Sequence, residues 1–299
     1  MAPIALFVYN RLSELDRTIK ALQMNDLAGE SQLIIFSDGP ANDLDGSAVA
    51  EVRAYLRMIS GFKDVEIHEN ADNLGLAVSI IAGVTEVISR YGRVIVMEDD
   101  LVTSPFFLRY MNDALDCYEG QAEVGAISGF SCTLDNIGAE TYFLPGTYWW
   151  GWATWKDRWE LFNPDSKYLY AELKRRQLRD KCDINGSFLI SPSKLLKKHI
   201  EGKISTWAIR WHVSLILAGK YSLFPVVSMV ENIGLGSGVN CRVRSNCFSQ
   251  KTGDQPVKVT RIPVAVDSLI VKRIRRFYLK AHFILLCCFI RSFFYRGKW

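Results

Sequence analysis

Short apolar runs and amphipathic stretches alternate along residues 1–130. Ile4 to Val8, Leu33 to Phe36 and Val94 to Met97 are continuous apolar runs, as expected of strands covered on both faces of a sheet. Val65 to Ile67 and Val124 to Ile127 read as shorter strands. Between them, apolar residues at helical spacing predict helices from Leu12 to Leu22, Gly46 to Ile59, Leu76 to Ile88 and Pro105 to Tyr118. This alternation predicts an α/β fold with a mostly parallel central sheet flanked by helices.

In open sheets of this kind, ligands sit beyond the carboxyl ends of the strands. The residues that follow each run are polar: Tyr9-Asn10-Arg11, Ser37-Asp38-Gly39-Pro40, Asn70 to Asn73, Glu98-Asp99-Asp100 and Ser128 to Ser131. Each alone is an ordinary turn. Gathered on one sheet edge they suit a nucleotide-sugar pocket, with Arg for phosphate, Asp for a pyrimidine N–H and Gly for close backbone approach. The acidic triplet is the most specific of the five. Three adjacent carboxylates at the end of a buried strand repel one another, and a hard divalent cation such as Mn2+ or Mg2+ is their natural partner. A solvated acidic turn is the other reading.

Farther along, Trp149, Trp150, Trp152, Trp155 and Trp159 fall within eleven residues. Aromatic faces stack on the C–H faces of sugars. Core packing is the alternative, favoured for Trp152, Trp155 and Trp159 by their helical spacing. Trp207 to His212 comes next. The apolar run Leu223 to Val230 then reads as a strand opening into a Gly-rich loop, Glu231 to Gly238. Such a loop can close over a pyrophosphate, but it lacks the G-x-G-x-x-G pattern leading into a helix, so a dinucleotide fold is not indicated.

Charge changes the picture at the C-terminus. The chain has 36 basic and 32 acidic residues, yet no acid follows Asp267 while eight basic residues do. The body is therefore slightly acidic and the tail carries the positive excess. Ile270, Ile274, Phe277, Ala281, Ile284 and Cys288 form an apolar stripe at helical spacing among those bases. The all-apolar run from Phe283 to Ile290 is too short to cross a bilayer, which takes roughly 20 residues. A basic amphipathic helix suits an anionic membrane surface; packing on the acidic body is the alternative. Nucleic acid is not indicated, because the tail's bases alternate with long aliphatic side chains. These features divide the chain into a domain at residues 1–262 and a basic amphipathic tail at residues 263–299. The seven cysteines, odd in number and without C-x-x-C spacing, support neither a disulfide framework nor a zinc knuckle and fit a reducing compartment. The first strand begins almost at Met1, so no signal peptide is expected and the sequence points to the cytoplasm.

The chain resembles bacterial GT-A-fold glycosyltransferases, family 2-like sugar transferases of surface-polysaccharide synthesis. It is more distantly similar to the eukaryotic N-acetylglucosaminyltransferase that starts N-glycan branching. The matching segments are Phe7 to Arg11, Ser37-Asp38-Gly39, Asn73 to Leu76, Val94 to Phe107, Trp150 to Trp155, Trp207 to Trp211, Asn232-Ile233-Gly234 and Gly236-Ser237-Gly238. The resemblance implies a Rossmann-like GT-A fold with a mixed sheet. It also implies an inverting, metal-dependent transfer of a sugar from a nucleoside-diphosphate donor. Taken with the basic tail, the expected enzyme uses a UDP-activated donor and a growing, lipid-linked surface glycan as acceptor, at the inner face of the cytoplasmic membrane. Carried over by position, Asp100 would ligate the metal. Glu98 and Asp99 would contact the donor ribose or sugar, and Arg11, Asp38 and Asn73 would hold the base and neighbouring groups. Trp150, Trp152 and Trp207 would stack on sugars.

The chain departs from the family's pattern at two places. An Asp commonly precedes the Ser-Trp-Ala-x-Arg-Trp segment, where this chain has Ser205-Thr206. The later loop usually carries an Asp before Gly-Ser-Gly and a His after it, where this chain has Leu235 and Asn240. Glu231 and His212 are the nearest candidates for the displaced general base, and Asn240 for the second metal ligand through its amide oxygen. A catalytically inactive nucleotide-sugar- or glycan-binding homologue and a sugar nucleotidyltransferase are the alternatives. The latter would need a Gly-rich basic loop after the first strand, which Tyr9-Asn10-Arg11-Leu12 does not supply.

Overall fold

The computed structural model describes residues 1–134, 137–187, 191–235, 248 and 250–295, with side chains up to 285. Its strands are β1 (Ile4–Val8), β2 (Gln32–Ser37), β3 (Asp64–Glu69), β4 (Arg93–Glu98), β5 (Leu101–Thr103), β6 (Val124–Ser128), β7 (Thr141–Pro145), β8 (Trp152–Trp155), β9 (Tyr221–Pro225) and β10 (Val230–Asn232). Its helices are α1 (Leu12–Gln23), α2 (Gly46–Leu56), α3 (Leu76–Tyr91), α4 (Phe107–Tyr118), α5 (Lys156–Trp159), α6 (Ser166–Arg175), α7 (Arg179–Cys182), α8 (Pro192–Ile200), α9 (Ala208–Leu217) and α10 (Ser268–Tyr295).

The main sheet runs β3-β2-β1-β4-β8-β6-β9-β7, and β5 pairs separately with β10. Strands β3, β2, β1 and β4 are mutually parallel, as are β6 and β9, whereas β8 and β7 run antiparallel to their neighbours. The result is a mixed, mostly parallel sheet flanked by helices, the α/β layering that the alternating apolar runs predict. Side chains alternate across a strand, so each apolar run feeds two cores. Ile4, Leu6, Leu33, Ile35, Ile95 and Met97 enter one, packed with Leu15, Ile19 and Leu22 of α1. Ala5, Phe7, Ile34, Phe36, Val94 and Val96 enter the other, packed with Ile80, Val84 and Val87 of α3. A third cluster joins α6, α8 and α9 through Leu169, Leu196, Ile209 and Val213.

Two sequence expectations change here. Trp152 and Trp155 lie on a strand, not on a helix; three residues apart, they point to opposite faces, Trp152 into the α3-side core and Trp155 into the α1-side core. The run Leu223 to Val230 is two strands, because β9 ends at Pro225 and the chain crosses to pair β10 with β5.

The tail is also different from a free appendage. Ile270, Ile274 and Tyr278 of α10 belong to the same core as β1 and β4. Arg275 Nε donates to the Ile184 carbonyl at 3.1 Å, and Ser187 Oγ lies 2.9 Å from His282 Nε2. The stripe at residues 270, 274, 278 and 281 is helical spacing realised as packing against the body. No helix among the described residues is long and apolar enough to cross a membrane. Truncating fully buried Ile274 to Ala should destabilise the protein by about 2–5 kcal/mol, read from denaturant unfolding. A loss below about 0.5 kcal/mol, the range of surface substitutions, would show that α10 is not rooted in the core.

Candidate functional site

The parallel strands deliver their polar ends to one edge. There β4 stops at Glu98, and the chain turns through Asp99 and Asp100 before starting β5. The turn is held from both sides. Thr18 Oγ1 of α1 donates to the Asp99 carbonyl at 2.9 Å, and Ile233 N–H donates to the Asp100 carbonyl at 2.9 Å. The second bond extends the β5–β10 ladder, in which Asn232 faces Leu101 and Glu231 faces Val102. Gly234 follows directly. A methyl there would collide with Asp100 Oδ2 and crowd Arg11 Nη1, so the glycine lets the backbone run directly against the acidic turn.

Arg11, at the N-terminus of α1, lies between the two aspartates. Its Nη2 bonds Asp99 Oδ1, and its Nη1 is 3.0 Å from Asp100 Oδ2. Tyr9 N–H points to Asp99 Oδ2 at 3.4 Å. Among the described residues Asp100 Oδ1 is buried and has no hydrogen-bond partner, and the contact of Arg11 Nη1 with Asp100 is an ion pair. One guanidinium thus faces three carboxylates. Burial disfavours the Arg11 charge, but Asp99 and Asp100 outweigh that and raise its pKa. Burial pushes Asp99 up to about 6, opposed by Arg11 and reinforced by Asp100. Glu98 is raised as well, by burial and then by the Asp100 and Asp99 charges.

A buried carboxylate oxygen without a donor is costly unless a cation covers it. The donor set is all oxygen, as hard divalent ions require. Asp100, with Glu98 beside it, fits such an ion. Asn240 and Gly236 to Gly238 lie outside the described residues.

The β2 end is built differently. Asp38 Oδ1 accepts from Leu74 N–H at 2.9 Å, Gly39 N–H at 3.1 Å and Asn70 Nδ2 at 3.4 Å, and Oδ2 accepts from Gly75 N–H at 2.8 Å. Asn73 Nδ2 donates to the Gly39 carbonyl at 2.8 Å. Asp38 and Asn73 therefore shape this end of the sheet by pinning the loop to α3; Oδ2 alone keeps room for a further donor. Arg53 was not legible as a site residue. It donates to the Asn70 carbonyl at 2.6 Å and to the Asp38 carbonyl and Ser37 Oγ at 3.3 Å each, tying β2 and β3 together at their carboxyl ends. Tyr9 Oη donates to Asp45 Oδ2 at 2.9 Å, and Asn10 Nδ2 to Asp45 Oδ1 at 3.1 Å, joining the end of β1 to the start of α2. Their only sequence signal is their place just after a strand or on the next helix.

Three expected site residues are placed elsewhere. His212 is buried. Its Nε2 lies 3.0 Å from the Cys182 carbonyl, and its Nδ1 lies 2.9 Å from the Thr147 carbonyl and 3.2 Å from the Thr147 N–H, so both ring nitrogens are occupied by backbone. Burial lowers its pKa, against the backbone bonds to Thr147 and Cys182. It is a neutral core histidine and not a base for an incoming hydroxyl. Trp152 is fully buried and Trp207 is 3% exposed, stacked on each other at 5.4 Å, which leaves neither ring a face for a sugar. Trp150 alone of the three rings is half-buried, edge-on to Phe130 at 4.7 Å. It precedes Gly151, which abuts Val230 on the strand that carries Glu231.

No protein-family model and no curated protein matches the chain. Among solved structures it is similar to a mannosyltransferase from Pyrobaculum calidifontis in complex with GDP-Man and Mn2+ (TM-score 0.35, 12% identity, 58% of this chain and 47% of that one). It is also similar to S. aureus TarS (0.32, 12%, 59% and 30%). A third likeness is to 4-diphosphocytidyl-2C-methyl-D-erythritolsynthase from Anaerococcus prevotii (0.32, 12%, 67% and 83%). The chain spans less than half the length of the first two. Likeness at this level carries no conclusion about function.

The carboxyl cluster makes a pH-signed prediction. An acid whose folded pKa lies above its unfolded value, as for Asp99 at about 6 against roughly 3.9, removes stability as pH rises from about 4 through 6. A bound cation reverses that penalty but must displace protons at low pH. Mn2+ at about 100 times its Kd adds ~2.7 kcal/mol and should raise the melting temperature by about 4 °C at pH 8. The same concentration should give a much smaller shift at pH 5. Equal shifts at both pH values, or none, would count against a cation on these carboxylates.

Proposed function

We propose that the chain is a glycosyltransferase that moves a sugar, with inversion, from a nucleoside-diphosphate donor, UDP-activated, to a hydroxyl of a growing lipid-linked glycan. The observation that carries this reading is Asp100: buried at a sheet edge, with one oxygen unpartnered and the other shared with Arg11. Asp100, supported by Glu98, would hold a divalent cation, Mn2+ or Mg2+. When bound, that ion supplies the positive charge a departing diphosphate needs.

The remaining work falls to this chain's own groups. Arg11 adds a second, fixed positive charge at the same edge and holds Asp99 in place. The Asp38–Asn73 wall and the Gly39 turn admit the base end of the donor. Trp150 offers its exposed part to the acceptor. As the acceptor oxygen bonds to the anomeric carbon, the bond from that carbon to the diphosphate oxygen breaks on the opposite side and the acceptor proton passes to a base. Glu231 is assigned that role. It is partly exposed, one ladder pair from Leu101 and next to the segment that caps Asp100.

Asp100→Ala should abolish metal-dependent donor hydrolysis while leaving the fold intact by circular dichroism. Glu231→Gln should lower kcat by about 10²–10⁴-fold with donor KM unchanged. Full turnover in the Asp100 variant would remove the metal assignment, and full kcat in the Glu231 variant would remove the base.

A further inference from the structure

Helix α10 is two-sided. Residues advance about 100° per step along a helix. Ile270, Ile274, Tyr278, Ala281 and His282 thus fall on one side, and all five are buried. Leu269, Lys272, Arg276, Leu279, Lys280 and Phe283 fall within roughly 100° of arc on the opposite side, and all six are exposed.

That outer face is unusual in both its apolar and its charged members. Leu269 is 50% exposed, Leu279 66% and Phe283 67%. Single exposed apolar residues are ordinary, but three at helical spacing with cations between them form a designed stripe. Lys272, Arg276 and Lys280 have no ion-pair partner among the described residues, and no acid occurs anywhere after Asp267. Arg275 is different, since its Nε is bound to the Ile184 carbonyl. The three outward bases are thus uncompensated, on a chain whose residues up to Asp267 are net acidic.

We infer that this outer face of α10 lies on an anionic lipid bilayer, with Leu269, Leu279 and Phe283 in the acyl boundary and Lys272, Arg276 and Lys280 at the headgroup phosphates. Such a helix lies in the interface plane. Because the opposite face is rooted in the core through Ile274 and Tyr278, the contact fixes the catalytic body rigidly against the surface; it is not a flexible tether. The inference does not depend on sugar transfer, although a surface-bound body suits a lipid-linked acceptor.

The test is flotation of the full chain with phosphatidylcholine vesicles, with and without phosphatidylglycerol. The protein should float with the anionic vesicles, be released by high salt and stay unbound with neutral vesicles. The variant Lys272→Gln/Arg276→Gln/Lys280→Gln, altered only at exposed positions, should bind anionic vesicles about 100-fold more weakly. Leu279→Ser/Phe283→Ser should lose at least about tenfold, with both variants keeping the wild-type melting temperature. Equal binding to neutral vesicles, or unchanged binding in the charge variant, overturns the inference. So does a wild-type dimer in solution that Leu279→Ser/Phe283→Ser dissociates, since that would assign the face to a second copy of the chain.

Discussion

Arg11 stands between Asp99 and Asp100 at the end of the central strand, and most of the site's construction serves that contact. A buried ion pair seldom stabilises a protein by itself, because desolvation cancels much of the attraction. Here the imbalance is larger, with one guanidinium for three carboxylates. The surrounding residues look chosen to hold that imbalance in place. Thr18 fixes the Asp99 backbone, Ile233 fixes the Asp100 backbone, and Gly234 gives up its side chain so that the loop can close over both. An arrangement that costs stability and is held this firmly is characteristic of functional sites.

The sheet explains why this charge stands at an accessible edge. Four parallel strands end together, and each end is occupied by a group that either shapes the pocket or carries charge. Asp38 and Arg53 spend their hydrogen bonds on the backbone, so they set geometry. Glu98 and Asp100 keep unspent capacity, so they are the groups with chemistry left to do. The small β5–β10 ladder pairs Glu231 with Val102, two residues after Asp100, from a segment more than 120 residues later in the chain.

Much of this was legible locally. The runs at residues 4–8, 33–36 and 94–97 became β1, β2 and β4 almost unchanged, because continuous burial on both faces leaves a plain apolar signature. The acidic triplet was legible for the converse reason, since charges that interrupt such a run need a cause. What depended on distant packing was not. Trp152, Trp207 and His212 carry residue types common in sugar and catalytic sites, but the cluster of Trp152, Trp159, Trp207 and Trp211 is assembled from segments about fifty residues apart. The break at Pro225 was visible in the sequence yet submerged in an apolar run. In the tail, helical periodicity was evident, but periodicity alone did not say that one face packs on the core while the other is exposed.

The most direct test of the Asp100 assignment is calorimetric titration of UDP with and without Mn2+, in the wild-type protein and in Asp100→Asn. If one ion bridges Asp100 and the diphosphate, each ligand strengthens the other by the same factor. That mutual strengthening should disappear in Asp100→Asn while the protein remains folded. UDP binding that is indifferent to Mn2+ in the wild type, or coupling that survives the substitution, would contradict the assignment.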